Sequence, residues 1–199
     1  MEYIYFLFTI FLEYLENNFF IVLFFYFLFM FCYNCFSLPG NLIIFGLSGY
    51  MFGVVLGFIS SILALLCGSY IFFILSRFFL SKIFPNIYKK YSNKINYFIS
   101  KSTLEYLIIF RIIPGPPIML QNLCMSLTNI SSYKFLLSTL IGVSPLVYII
   151  VFVGNKMKDF NNLKSITIND VLTLDFLIFV GLIIILLFLR IYFRKKKKE

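Results

Sequence analysis

LEYLIIFRIIPGPPIMLQNLCMSLTNISSYKFLLSTLIGVSPLVYIIVFV, residues 104–153, is the stretch whose reading decides the fold. Residues 104–113 would make about 15 Å of helix, half the thickness of a bilayer core. Pro114-Gly115-Pro116-Pro117 then stops the helix, because proline has no amide proton to donate and its ring clashes with the preceding turn. Residues 118–127 supply a second half-length arm, the polar run 128–132 follows, and residues 135–153 suffice for a full crossing that contains Gly142 and Pro145. Two half-length arms around a break predict a re-entrant hairpin. Non-helical backbone at membrane depth is tolerated only where protein or a watery cavity surrounds it, so this hairpin belongs in the middle of the molecule.

Composition agrees with an all-α, polytopic membrane protein. Of 199 residues 61% are hydrophobic and 21% aromatic, and the charged fraction of 13% is about half that of a soluble domain. The 28 Phe and 14 Tyr reflect a bias typical of AT-rich coding sequence and argue nothing about function by themselves. The absence of His does, since it removes the commonest metal ligand and the commonest general base at neutral pH. Cys32 and Cys35 form a C-x-x-C, but no second pair completes a zinc site, and these two with Cys67 and Cys124 are expected to be small buried hydrophobes. No nucleophile stands with a base and no metal ligands cluster, so no enzyme, cofactor or metal is expected. Membrane lipids are the expected partners and nucleic acid is not; the sequence allows a homo-oligomer.

Outward from the central stretch, residues 1–199 read as one membrane domain. Residues 1–12 are apolar but too short to span, and they lack the basic start and cleavage site of a signal peptide, so an interfacial segment of the mature chain is expected. Residues 19–38 carry no charge and fit a first span that ends at Pro39-Gly40-Asn41. Residues 42–76 form a run of 35 without a charge, more than one span and less than two with a loop, so the chain there must bend or dip. Gly46, Gly49, Gly53, Gly57, Ser60, Ala64 and Gly68 recur at steps of three or four, a small-residue face for close helix packing. Residues 81–102 predict a basic interfacial helix, with Ile87, Tyr91 and Phe98 opposed to Lys90, Lys94 and Lys101. Residues 172–190 make a last transmembrane helix, and 190–199 a basic tail that acts mainly as a topology determinant. Positive charge then places Arg77, the connector after it and the tail in the cytoplasm, with the central hairpin entering from that side and residues 155–169 outside.

Leu38-Pro39-Gly40 and Ile113-Pro114-Gly115 lie 75 residues apart, and at the same offset Gly68 falls beside Gly142. Each copy has a Pro-Gly break, a return arm and a full span, the pattern of an inverted repeat with two re-entrant hairpins. Arg111 is the one charge inside an arm of the central hairpin, three residues before the break. It has two readings. It can satisfy the carbonyl groups freed by the prolines, or it can bind the phosphate of a lipid headgroup with Gln121, Asn122 and Arg77, since a guanidinium presents a planar fork of donors. Arg77 can instead snorkel to the interface, and Gln121 and Asn122 can be interhelical hydrogen-bond partners.

The run FRIIPGPPIMLQN (110–122), then SLTNIS (126–131), Lys134-Phe135 and the Ile-Gly-x-x-Pro of 141–145 resembles the VTT or SNARE-associated domain family. That family holds the bacterial DedA proteins and eukaryotic vacuole-membrane and lipid-scramblase proteins. Leu38-Pro39-Gly40, Gly57, Gly68 and Arg77 match its first half, and the likeness covers residues 36–155. The resemblance implies two re-entrant hairpins, lipid movement between leaflets, and places for Arg111, Pro114, Pro117 and Asn122 in the second motif. Classical DedA proteins carry acidic residues near the first Pro-Gly, where this chain has Asn41, and a second-motif arginine after the proline that has no counterpart here; Ser126 replaces a glycine. These departures count against proton coupling and point to the branch of the yeast Golgi and vacuolar members.

The expected function is therefore scrambling or flipping of an anionic phospholipid or polyprenyl-phosphate lipid, in a multi-pass protein of a membrane, with a bacterial plasma membrane favoured. An ion-coupled small-solute transporter, which would need a buried carboxylate, and a non-transporting membrane-organising protein are the alternatives.

Overall fold

The computed structural model describes residues 17–83, 85, 104–112 and 117–158. Their regular structure is five helices: α1 (Phe19–Cys35), α2 (Asn41–Ile83), α3 (Leu104–Ile112), α4 (Ile118–Ser126) and α5 (Ser132–Lys156). The N-terminal segment, the interfacial helix beyond its first residues, Pro114, Gly115 and Pro116, most of the 155–169 loop, the span at 172–190 and the basic tail lie outside the described residues.

The bend required of the uncharged run is at Gly53, whose φ of 77° and ψ of 179° interrupt α2. That combination belongs to a region open essentially to glycine alone. Beyond it the chain folds back. The Ser61 hydroxyl donates to Ser48 Oγ at 2.9 Å, whereas in a straight helix these residues would stand about 20 Å apart. A Cβ on Gly57 would meet the Ser48 carbonyl oxygen at 2.8 Å. Residues 41–52 are thus a short arm, about 18 Å long, lying against the longer helix that continues to Ile83. Gly53 is therefore the turn of this pair and not one of its packing glycines, a correction to the single small-residue face.

The remaining glycines of that series point in several directions, and all but Gly46 face a backbone that a side chain would meet. A Cβ on Gly49 would lie 1.9 Å from the Val151 carbonyl oxygen of α5, and one on Gly154 of α5 would lie 2.0 Å from the Gly46 carbonyl oxygen. The arm and α5 hence cross almost backbone to backbone, the geometry small residues permit in lipid. Gly46 itself has room for a side chain, with Ile150 in ordinary van der Waals contact at 4.0 Å from its Cβ position. Gly68 admits α1, at 2.6 Å from Asn34 Cβ, and Gly142 admits α3, at 2.4 Å from Arg111 Cβ.

One contact therefore occurs twice. In each half a glycine of the long helix seats the last turn of the preceding helix, and the seated residue bonds to an asparagine after the Pro-Gly break. Asn41 Nδ2 donates to Asn34 Oδ1 at 3.0 Å, and Arg111 NH2 donates to Asn122 Oδ1 at 2.8 Å. Among the described residues, a helix followed by a short arm and then a long helix occurs both within 19–83 and within 104–156.

Between the halves, Tyr26, Met30, Phe45, Leu65, Val143, Val147 and Val151 pack into one core, and Phe73, Leu107, Met125 and Phe135 into a second. A polar seam crosses the first core, where Tyr26 OH lies 2.7 Å from Ser61 Oγ. The outer surface is apolar: Phe20 is 81% exposed, Ile43 73% and Val55 68%. Cys32 and Cys67 are also exposed, not buried as expected. Such a surface suits lipid and not water, and α2 and α5 are long and apolar enough to cross a membrane.

These crossings make a graded prediction. Gly49→Ala and Gly154→Ala should each cost about 1–3 kcal/mol by overpacking, seen as a lower midpoint of thermal unfolding in detergent. Gly46→Ala, three residues from Gly49 on the same arm, should change that midpoint little.

Candidate functional site

Burial of Arg111 follows from the pattern of its helix. Leu104, Leu107, Ile108 and Arg111 are the buried residues of α3, spaced as one helical stripe. The stripe that buries three aliphatic side chains carries the arginine in with them, leaving it 4% exposed. On α4 the inward residues are Gln121, Asn122, Met125 and Ser126. Pro117 serves as the N-cap residue of this arm, its carbonyl accepting from the Gln121 amide at 3.1 Å. The two arms thereby face each other with Arg111 on one and two carboxamides on the other.

Asn122 is the hub. Its Oδ1 accepts from Arg111, and its Nδ2 donates to Ser37 Oγ at 3.0 Å and to Ser69 Oγ at 3.2 Å. Ser37 has a positive φ of 51°, just ahead of Pro39-Gly40, and Ser69 follows Gly68 on α2. One buried carboxamide thus joins α3 and α4 to the segment ahead of Pro39-Gly40 and to α2. The Gln121 carbonyl accepts from Arg111 NH1 at 3.4 Å.

A second set of contacts holds the guanidinium from behind. Arg111 lies over the Phe135 ring at 5.1 Å, Phe135 stacks on Phe73 at 4.2 Å, and Arg77 lies over the other face of that pair at 4.2 Å from the Phe73 centroid. The ladder ends at Arg77, which donates to the carbonyls of Ser126 (3.4 Å), Thr128 (2.6 Å) and Ile130 (3.0 Å). Those carbonyls belong to the break between α4 and α5, where no helix supplies partners. Arg77 is thus brought to the backbone of this break and does not line the cavity that Arg111 reaches.

That cavity has a volume of about 430 Å³. Residues 38–42 of the first break form one wall, Pro117, Ile118, Met119 and Gln121 another, and Arg111, Ile112, Val143 and Leu146 the rest. Pro39 and Gly40 of the first break thus meet Pro117 and the start of α4 there. Two polar atoms of lining residues have no hydrogen-bond partner among the described residues, Arg111 Nε and Asn41 Oδ1. The only carboxylate among these residues is Glu105, at the opposite end of α3. Within the described structure the charge of Arg111 is met by two amide dipoles and the Phe135 ring, with no anionic group, and an anion entering the cavity would neutralise it at the buried end of an apolar chamber.

The structure brings Arg111, Gln121 and Asn122 together, with Pro39, Gly40 and Pro117 lining the same cavity, and sets Arg77 apart at the break between α4 and α5. Ser37, Ser69 and Phe73 carry no distinguishing signal in the sequence: the serines look like any small residue in an apolar run, and Phe73 is one of 28 phenylalanines, whereas Phe135 stands out only as part of the Lys134-Phe135 pair. Asn41, which departs from the acidic pattern in sequence, lines the cavity in the structure.

A family model described as the VTT domain matches residues 38–156. The chain is 32% identical over 154 residues to an uncharacterized membrane protein of Arabidopsis thaliana, a match covering 73% of this chain and 51% of that one. It is 27% identical over 158 residues to a transmembrane protein 41 homolog of Dictyostelium discoideum, covering 77% and 47%. The chain spans about half the length of these curated relatives. No solved structure matches it.

The hub predicts an order of stabilities. Asn122→Leu strands a buried cation and two hydroxyls and should cost about 1–3 kcal/mol, rising further for the charged group. Ser69→Ala removes one neutral bond, worth about 0.6 kcal/mol within a membrane protein. Thermal unfolding in detergent should show the first shift well above the second; equal shifts would remove Asn122 from its central place.

Proposed function

The chain belongs to the VTT-domain family, and on that premise we propose that it moves an anionic phospholipid or a polyprenyl-phosphate lipid between the leaflets of a membrane. The observation that carries this reading is Arg111, buried beside an apolar cavity, incompletely hydrogen-bonded, and without a carboxylate near it among the described residues. The Dictyostelium relative's name, transmembrane protein 41 homolog, is compatible with such a role.

In this mechanism the headgroup phosphate leaves water at one face and accepts from the Arg111 guanidinium near the middle of the molecule. The lipid chains stay among Leu42, Ile112, Ile118 and Leu146 or in the bilayer itself. A charge at the centre of a bilayer costs at least about 2.5 kcal/mol even on favourable scales, and a fixed counter-charge lowers that barrier for an anion. Asn122 and Phe135 are positioning residues, since they hold the guanidinium and do not line the cavity. Arg77 acts further away, by fixing the backbone between α4 and α5.

We read residues 41–52 with the helix after Gly53, and α3 with α4, as two re-entrant hairpins of an inverted repeat. Supporting this are the repeated element order and the paired contacts of Gly68 with α1 and Gly142 with α3. Arg77 and the basic connector are placed on the cytoplasmic side by their charge. Asn41, in place of the acidic residue of classical DedA proteins, supports the eukaryotic branch and a path that needs no proton. Both relatives are eukaryotic, so the bacterial plasma membrane finds no support, and a eukaryotic membrane replaces it in this proposal.

Transfer of fluorescent anionic phospholipid between the leaflets of proteoliposomes tests the reading. The wild-type chain should exceed empty vesicles, and Arg111→Gln should lose at least about tenfold, equivalent to about 1.4 kcal/mol, while eluting as the same folded species. Arg111→Lys should retain part of the rate, because it keeps the charge and loses the fork. Rates no higher than empty vesicles for several anionic lipids would instead favour a membrane-organising role.

A further inference from the structure

The two unpartnered atoms at the cavity are of opposite kind. Arg111 Nε carries a hydrogen and requires an acceptor; Asn41 Oδ1 is a carbonyl oxygen and requires a donor. Their residues are 4% and 5% exposed, and both line the same chamber. The orientation of the Asn41 amide is settled by its other end, since Nδ2 donates to Asn34 Oδ1 while Asn34 Nδ2 donates to the Met30 carbonyl. Rotating the Asn41 amide would set its oxygen against the Asn34 oxygen. The acceptor of this cavity-lining residue is therefore fixed in place by a chain of hydrogen bonds running back into α1.

A plain phosphodiester satisfies only half of this. Its oxygens accept from Arg111, but at neutral pH it has no hydrogen to offer Asn41. We infer that the site selects a phosphoester whose headgroup also bears an N–H or O–H donor, and that Asn41 is the residue which reads that donor. The inference rests on the lipid-moving role proposed above and deepens it by naming the class of headgroup. Serine, glycerol and inositol headgroups meet the requirement in anionic lipids, and an ethanolamine headgroup meets the donor part of it in a zwitterionic one. Choline does not, because its quaternary nitrogen has no hydrogen. The volume of about 430 Å³ takes a phosphate with a small amino alcohol or polyol and the start of the chains, and the remaining chain length extends into the bilayer.

Leaving the Asn41 oxygen buried without a donor costs enough to discriminate by roughly tenfold. The test compares lipid pairs of equal charge in the wild-type chain reconstituted in vesicles. Phosphatidylglycerol and phosphatidylmethanol are both anionic and differ in hydroxyls; phosphatidyl-N,N-dimethylethanolamine and phosphatidylcholine are both zwitterionic and differ in the last N–H. The wild type should move the donor-bearing member of each pair roughly tenfold faster. In Asn41→Leu the members of each pair should converge to within about twofold. Asn41→Asp, which keeps an acceptor oxygen, should still prefer the dimethylethanolamine lipid to the choline lipid, so the assignment does not depend on the leucine variant folding.

Equal wild-type rates within both pairs would overturn the inference and leave the lipid-moving role standing. Absence of transfer for every lipid would overturn that role, and retention of the same pairs by the purified chain in native mass spectrometry would then decide the inference: donor-bearing lipid retained preferentially supports it, equal retention refutes it. Soluble phosphoethanolamine forms a further arm. Competition by it at concentrations equal to the lipid would assign the same chemistry to a water-soluble phosphoester and overturn lipid as its source.

Discussion

The rest of the structure depends on how one buried guanidinium is held. Arg111 enters the interior because it continues the apolar stripe of α3, and Gly142 lets that helix approach α5 closely enough to seal it there. Asn122 then becomes necessary, since the carboxamide opposes the cation with its oxygen and uses its nitrogen to bind Ser37 and Ser69. Through those bonds the arm after the second break is fixed to the first break and to α2. The aromatic pair Phe73 and Phe135 closes the arrangement, with a cation on each outer face.

Two arginines with similar sequence settings thus have different work. Arg77 meets three carbonyls and is a structural clamp on a non-helical segment. Arg111 meets two carboxamide oxygens and keeps its Nε without a partner among the described residues. The distinction bears on function because a cation engaged by three carbonyls has little to offer a ligand, whereas an incompletely paired one at a cavity does. Asn34 and Asn41 form beside the first break a neutral contact comparable to the charged one that Arg111 and Asn122 form between α3 and α4.

Much of this was legible in the residues themselves. The two proline-glycine breaks, the half-length arms at 104–113 and 118–127, and the need for a bend within 42–76 follow from helix rise and proline chemistry. The place of the bend did not follow, because Gly53 stands in regular spacing with Gly49 and Gly57, and only its backbone angles separate a turn from a packing contact. Arg111, Gln121 and Asn122 were identifiable as polar residues in an apolar arm. Their association with Ser37 and Ser69 was not, since it joins positions as far as 85 residues apart and depends on how the two halves pack. Asn41 illustrates the same limit: its identity was plain, and its orphaned oxygen is a property of the assembled cavity.

The central claim is that a lipid phosphate enters the chamber between the two breaks and meets Arg111. Photocrosslinking with an anionic phospholipid that carries a diazirine next to its phosphate, mapped by mass spectrometry in membranes, addresses it most directly. The account predicts labels on residues 38–42, on 117–121 and on Val143, and their loss in Arg111→Gln while labels on outward residues such as Phe20 and Phe24 persist. Labels confined to the outward surface, or cavity labels unchanged by the substitution, would contradict it.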